Sequence, residues 1–180
     1  WSPFIRGIGA NEVSAGAEAG VATYVDGVYL SSPYGAFMSF NNVERVEVLK
    51  GPQGTLFGRN ATGGLIHIIT RDPQHDPEMN GKVLLGNYDT YQGQLYATGG
   101  PSDALAADVA LNYRKQDKGY GDNVFLDEEI PGSKEYGART KWMYTPTDKT
   151  SVTFIADYQK QEGSLGDNRA AVPGTVRIEA

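Results

Sequence analysis

Cysteine is absent from the 180-residue sequence. Disulfide scaffolds, thiolate zinc sites, iron–sulfur clusters and thiol nucleophiles are thereby excluded. Histidine is scarce: His67 sits inside an apolar run and His75 lies near Asp72 and Asp76. Neither has metal-ligand spacing such as HExxH, so both read as structural or solvated. No GxSxG occurs, no Ser-His-Asp spacing is suggested, and nothing points to a glycosidase carboxylate pair. Basic charge is also short: 16 Lys and Arg stand against 22 Asp and Glu, for a net charge of −6. Phosphate neutralisation dominates nucleic-acid affinity, so an acidic chain without a basic stripe is a poor partner for nucleic acid. Long hydrophobic runs are missing too. The most apolar one, Leu65 to Ile69, is broken by His67. A spanning helix needs about 20 apolar residues, so none is present. Barrel strands escape that test, because only every second residue need be apolar.

Glycine and tyrosine are abundant, at 23 and 11 residues. Only Tyr24, Tyr29 and Tyr34 precede residue 80. Asp72-Pro73-Gln74-His75-Asp76-Pro77 reads as a linker, since two prolines in six residues stop regular structure. The organisation expected is a first part at 1–72, a linker at 73–79 and a second part at 80–180. The first part holds short β-like runs with glycine punctuation. Phe4-Ile5-Arg6 meets Gly7, and Val21 to Val25 meets Asp26-Gly27, a strong hairpin signal. Asn41-Asn42 is placed to cap a helical turn over Val43-Glu44-Arg45. Val46 to Leu49 follows, and Leu65 to Thr70 reads as a buried strand. The class expected for this part is α+β, leaning to β.

The second part alternates with period two. Leu105, Ala107, Val109, Leu111 and Tyr113 fall on one face, and Ala106, Asp108, Ala110, Asn112 and Arg114 on the other. Val152, Phe154, Ala156 and Tyr158 repeat the pattern, as do Trp142 and Tyr144 in the strand between. Lys82 to Asn87 is ambiguous. Gly100 to Asp103 and Pro146 to Asp148 read as tight turns, while Lys118 to Tyr136 and the stretch from Glu162 onward read as long polar loops. Short turns at one end, long loops at the other and aromatics near strand ends fit an outer-membrane barrel. They also fit a soluble antiparallel sheet with its polar face in water.

The glycine-rich stretch from Gly51 to Gly64 lacks both GxxxxGK[ST] and GxGxxG, so it reads as a compact loop and not a phosphate cradle. Asp117, Asp122, Asp127, Glu128 and Glu129 lack EF-hand spacing and read as a solvated loop. Asn60-Ala61-Thr62 fits a glycosylation sequon and is read as coincidence.

The string Val43-Glu44-Arg45-Val46-Glu47-Val48-Leu49-Lys50-Gly51-Pro52-Gln53-Gly54-Thr55-Leu56-Phe57-Gly58-Arg59-Asn60-Ala61-Thr62-Gly63-Gly64, continuing to Asp72-Pro73, closely resembles the plug domain of TonB-dependent outer-membrane receptors. Ile5-Arg6-Gly7 resembles the family's IRG element, and Val25 to Tyr29 its strand-turn before the apical loop. Gly86 to Tyr91 is similar to the first barrel hairpin, and Thr145 to Asp148 to a periplasmic turn. The resemblance implies the C-terminal part of a plug followed by about five antiparallel transmembrane strands of a partial barrel, mostly β. It implies a receptor and not an enzyme, located in the outer membrane of a Gram-negative bacterium and needing no cofactor or metal. Such a receptor binds a scarce nutrient, a ferric siderophore ahead of cobalamin or a carbohydrate. It imports that nutrient with energy from the TonB complex, with outer-membrane lipid around it. The alternative from another class is a secreted soluble β-rich ligand-binding domain.

The resemblance also assigns residues. Ser31, Tyr34, Phe37 and Phe40 fall in an apical loop suited to ligand contact. Arg6 and Lys50 match cations that lock the plug to the barrel wall. Gly51, Pro52, Gly54, Gly58, Arg59, Asn60, Gly63 and Gly64 form the plug motif. At His67 the family more often has Asn, and at Lys50 often Arg. The TonB box and the N-terminal half of the plug have no counterpart in these residues, so the expectation is an internal stretch that does not transport alone. The two readings differ in one respect. A receptor puts Leu105, Val109, Leu111, Tyr113, Val152, Phe154 and Tyr158 on a single lipid-facing surface, whereas a soluble domain packs them in a core.

Overall fold

The computed structural model describes residues 3–9, 20–30, 41–57, 61–123, 128–163 and 175–179. The chain divides into two compact units, one comprising residues 1–38 and 42–71, the other residues 39–41 and 72–180.

The first unit is built on four strands: β1 (Val21–Val25), β2 (Val28–Tyr29), β3 (Val43–Lys50) and β4 (Gly64–Thr70), in the order β2-β1-β4-β3. The β1–β2 hairpin turns through Asp26 and Gly27 at φ of 46° and 82°. Both are left-handed, which is the two-residue turn that a right-twisted hairpin prefers. Asp26 also ties the turn down: its carboxylate accepts from the Thr70 amide at 2.8 Å and the Thr70 hydroxyl at 2.6 Å. β4 runs parallel to β1 and antiparallel to β3. The helical turn expected over Val43 to Arg45 is strand instead, with a register irregularity between Val43 and Arg45. Pairing along β4 satisfies this backbone, and Asn41 and Asn42 do not cap it. A helix α1 (Gly54–Phe57) is the sole helical element among the described residues. Ala22, Ala61 and Leu65 form the core, with Tyr24, Tyr29, Leu49 and Phe57 packed on it.

The second unit is a meander of β5 (Glu78–Gly86), β6 (Thr90–Ser102), β7 (Leu105–Asn123), β8 (Glu128–Thr147), β9 (Thr150–Gly163) and β10 (Thr175–Glu179). Each strand pairs antiparallel with the next. The described residues therefore hold six strands where about five were expected. The ambiguous Lys82 to Asn87 contributes most of its residues to β5. Two-residue turns at Asp103-Ala104 and Asp148-Lys149 close the β6–β7 and β8–β9 hairpins.

A second expectation is overturned. Lys118 to Tyr136 is not one long loop: β7 continues to Asn123 and β8 begins at Glu128. The two strands pair as far as Asn123 and Glu128, so their polar residues still find ladder hydrogen bonds. Polar composition does not by itself make the backbone irregular where a partner strand is available.

Candidate functional site

Arg6 and Gly7 form a tight turn, with mutual hydrogen bonds between Ile5 and Ile8 of 2.9 and 3.0 Å. Their φ values are 51° and 80°. The turn lifts the Arg6 side chain into an exposed position, and Lys50 is exposed at the end of β3. The two cations rise from neighbouring segments. Gly64 sits at φ 142°, and a Cβ there would strike the Leu49 carbonyl oxygen and approach Ile5 Cδ1 to 2.8 Å. Only glycine lets these segments approach so closely.

The plug motif is a loop that closes on its own backbone. Gly51 N–H donates to the Gly63 carbonyl at 3.1 Å, Gln53 N–H to Ala61 at 2.9 Å, and Gly63 N–H to Gly20 at 2.8 Å. Gly51 sits at φ 90°. Pro52 and Gly54 are exposed, while Gly63 and Gly64 are buried. Gly58, Arg59 and Asn60 lie outside the described residues, as do Ser31, Tyr34, Phe37 and Phe40 of the apical loop.

Tyr24 and His67 are structural. The Tyr24 hydroxyl donates to the Phe57 carbonyl at 2.7 Å, and the two rings meet edge-on at 5.1 Å. Burial, then the neighbouring Tyr29, pushes the Tyr24 phenol up, which keeps the donor proton in place. His67 Nε2 accepts from Gly27 N–H at 3.0 Å, so its Nδ1 faces the Glu47 carboxylate 3.8 Å away. His67 thus braces the β1–β2 turn, a role open to any side chain with an acceptor there.

In the second unit the two faces of the sheet differ in kind. Register brings Leu95, Leu111, Ala138 and Tyr158 into one row, and Ala107, Trp142 and Phe154 into another. The seven residues expected to share a surface do so. Val109, Leu111, Tyr113, Phe154 and Tyr158 are all at least 36% exposed. The buried apolar residues of this unit, Tyr96, Ala106, Ala110 and Ile155, lie on the opposite face. That face also carries charge. Arg139 pairs with Asp157, both side chains 8% exposed. Gln159 donates to Glu135 at 3.1 Å. Lys141, 3% exposed, meets Asp72 at 3.0 Å, while its amide donates to Asp108 at 2.8 Å. A water-soluble sheet buries its apolar face; this one exposes it and buries Asp108, Arg139, Lys141 and the Asp157 side chain on the other.

The exposed apolar band has the dimensions of a membrane. From Leu105 to Tyr113 it runs nine residues of β7, within the roughly 9–11 that a tilted strand needs to cross a bilayer. Trp142 and Tyr144 mark its end near the two-residue turns, and Tyr113, Tyr136 and Tyr158 mark the other. Aromatic girdles flank the lipid belt of outer-membrane barrels.

Sequence reasoning missed several polar residues, although Asp108, Arg139, Lys141 and Asp157 were visible as the polar half of each alternating strand. Asn41 was also misread. It groups with the second unit and donates to the Leu95 and Leu111 carbonyls at 2.8 and 2.9 Å. The segment after residue 71 is laced to the sheet by Asp72–Lys141, by Gln74 N–H to the Thr98 hydroxyl at 2.8 Å and by Gly100 N–H to the His75 carbonyl at 3.0 Å.

Residues 2–65 match the family model described as TonB-dependent receptor plug domain. The chain is 34% identical over 130 residues to the pesticin receptor of Yersinia pestis, covering 72% of this chain and 19% of that protein. It is 32% identical over 127 residues to the iron-regulated outer membrane virulence protein of Vibrio cholerae, covering 66% and 17%. Among solved structures it resembles the ferric yersiniabactin uptake receptor of Yersinia pestis. There the TM-score is 0.68 at 27% identity, over 80% of this chain and 23% of that one. The chain thus spans about one fifth of the length of the curated relatives it matches.

Proposed function

This chain belongs to the TonB-dependent outer-membrane receptors, and we propose that in the complete receptor it supplies part of the plug and a run of wall strands for uptake of a ferric siderophore. Its place is the outer membrane of a Gram-negative bacterium, and its family is one of receptors and transporters. The observation that carries the reading is the inverted sheet: the apolar face is exposed over the length of a spanning strand, and Arg139, Lys141, Asp108 and the Asp157 side chain are buried on the other. Buried ion pairs tolerate desolvation only when hydrogen-bonded, which suits a polar barrel interior. The siderophore assignment draws on the relatives, a pesticin receptor, an iron-regulated protein and a yersiniabactin receptor.

In this reading Ser31, Tyr34, Phe37 and Phe40 face the ligand, since aromatic contacts among small residues suit a binding surface. Arg6 and Lys50 hold the plug to acidic groups of the wall through charge-assisted hydrogen bonds. Energy arrives from the TonB complex. The test is uptake of radiolabelled iron in cells carrying the full-length receptor as their only siderophore transporter. Iron accumulation that needs both the receptor and TonB is expected. Cobalamin or carbohydrate uptake without iron uptake would replace the substrate and keep the family. Tyr34→Ala should weaken ligand binding without lowering surface abundance, and unchanged affinity would remove the apical loop from the site.

A further inference from the structure

On the polar face of the second unit the charges change character along the strands. Nearer the two-residue turns they are matched: Arg139 pairs with Asp157 and Lys141 with Asp72. Toward the other end two cations are not. Lys82 of β5 lies opposite Gln94 of β6, which in turn lies opposite Asn112 of β7. Arg114, two residues further along β7, lies between Gln92 of β6 and Glu135 of β8. By strand parity all of these share the face of buried Tyr96 and Ala110. Lys82 and Arg114 are both exposed, and neither meets a carboxylate among the described residues. Glu135 is the carboxylate directly opposite Arg114, yet it is 9% exposed and engaged elsewhere: the Gln159 amide donates to it at 3.1 Å. Gly137, opposite both Asn112 and Gln159, leaves the room for that diagonal reach.

The side chains around the two cations are amides, which offer hydrogen bonds but no neutralising charge. An anion supplies what this stretch of wall lacks. The siderophore classes differ in just this respect. Three hydroxamates neutralise ferric iron and leave no charge over, whereas catecholates and hydroxycarboxylates leave the complex negative. We propose that Lys82 and Arg114 form a subsite of the barrel wall that selects an anionic ferric siderophore, of the catecholate or carboxylate class, over a neutral or cationic hydroxamate complex. The planar fork of Arg114 grips two oxygens of one anionic group, and the Lys82 ammonium meets a second group as a point charge. Gln92, Gln94 and Asn112 exchange hydrogen bonds with the amides and hydroxyls of the ligand. Both cations stand at the end of the sheet away from the two-residue turns. They therefore also draw an anionic complex toward the lumen from outside. The inference rests on the siderophore reading above and on the outward placing of that end.

The test measures binding of ferric complexes to the full-length receptor in detergent. The probes are ferric enterobactin and ferric citrate, which are anionic, ferrichrome, which is neutral, and ferrioxamine B, which is cationic. One of the anionic complexes should bind more tightly than the neutral and cationic ones, and added salt should weaken it. Lys82→Gln and Arg114→Gln should each lower its affinity about tenfold, the loss expected when a charge-assisted hydrogen bond is removed. Together they should lower it roughly a hundredfold. Arg114→Lys should retain more affinity than Arg114→Gln, since it keeps the charge and loses only the fork. Preference for ferrichrome or ferrioxamine B overturns the proposal. So does an anionic complex that binds the double glutamine variant as tightly as the parent, with both proteins migrating as folded on unheated gels. In either case the siderophore reading stands and only the wall subsite is wrong. If no ferric complex binds the parent, the siderophore reading fails and the subsite fails with it.

Discussion

At the scale of single residues, backbone conformation separates structural glycines from permissive ones. Gly64 combines φ of 142° with a Cβ direction blocked by the Leu49 carbonyl, whereas Gly54 has open space around it. Gly64→Ala should therefore cost about 2 kcal/mol or more, and Gly54→Ala should stay within roughly 0.5 kcal/mol. Thermal unfolding of the full-length receptor measures both, and equal effects would mean that the loop relaxes freely. Arg6 needs a different design, because it occupies a left-handed position that most side chains resist. Asn tolerates that conformation, so Arg6→Asn removes the cation while keeping the turn. If Arg6 helps to seat the plug, this variant should admit bulky antibiotics that the parent excludes. Lys50→Arg should be tolerated or should tighten the seat, since a planar fork pairs with carboxylates better than a point charge. Antibiotic sensitivity equal to the parent's would leave Arg6 as an ordinary solvated turn residue.

At the scale of elements, strand length sets topology. β7 and β8 run 19 and 20 residues, about twice the 9–11 that a tilted strand needs to cross a bilayer. In the proposed reading their far halves stand clear of the membrane as a paired hairpin. The two-residue turns after β6 and β8 lie at the other end, the arrangement of short periplasmic turns and long outer extensions. A cysteine at position 127 should label on intact cells and one at Thr147 should not; the reverse pattern would invert the chain. The segment after residue 71 makes its own prediction. Asp72→Asn should loosen the contact with buried Lys141, seen as faster hydrogen exchange at the Gln74 and Gly100 amides. Protection unchanged at both would assign the hold to the Thr98 and His75 contacts alone. Sequence read the elements unevenly. The Asp26-Gly27 turn and the alternating strands from Leu105 and Ser151 were legible, because turn chemistry and period two are local signals. The far half of the β7–β8 hairpin was not, because Gly119, Gly121, Pro131 and Gly132 mark loops locally and only pairing across the hairpin makes them strand. Asp72–Lys141 joins residues 69 apart, and no local pattern announces such a pair.

At the scale of the whole molecule, composition and patterning point in different directions until burial decides between them. Mean hydropathy of −0.42 and a net charge of −6 fit a soluble protein. Alternation alone leaves open which face of the strands meets solvent, since a soluble sheet and a barrel wall share the same period. What separates them is that Asp108, Glu135, Arg139 and Lys141 are buried while Leu85, Val83, Tyr113 and Phe154 are exposed. If the exposed face meets hydrocarbon, the cost of placing a charge on it must depend on depth. Val109 lies midway between Leu105 and Tyr113 on that face. Val109→Arg should destabilise the receptor folded into lipid vesicles by about 2–4 kcal/mol, as expected for a cation at the bilayer midplane. The same arginine in place of Tyr113, at the edge of the band, should cost only about 0–1 kcal/mol from depth, beyond the loss of its ring contacts. On a surface facing water, Val109→Arg would change stability by less than roughly 0.5 kcal/mol. Denaturant titration of the two variants in vesicles distinguishes these cases. A flat response, with Val109→Arg as mild as a surface substitution, would mean that this face meets water and that the inverted burial has another cause.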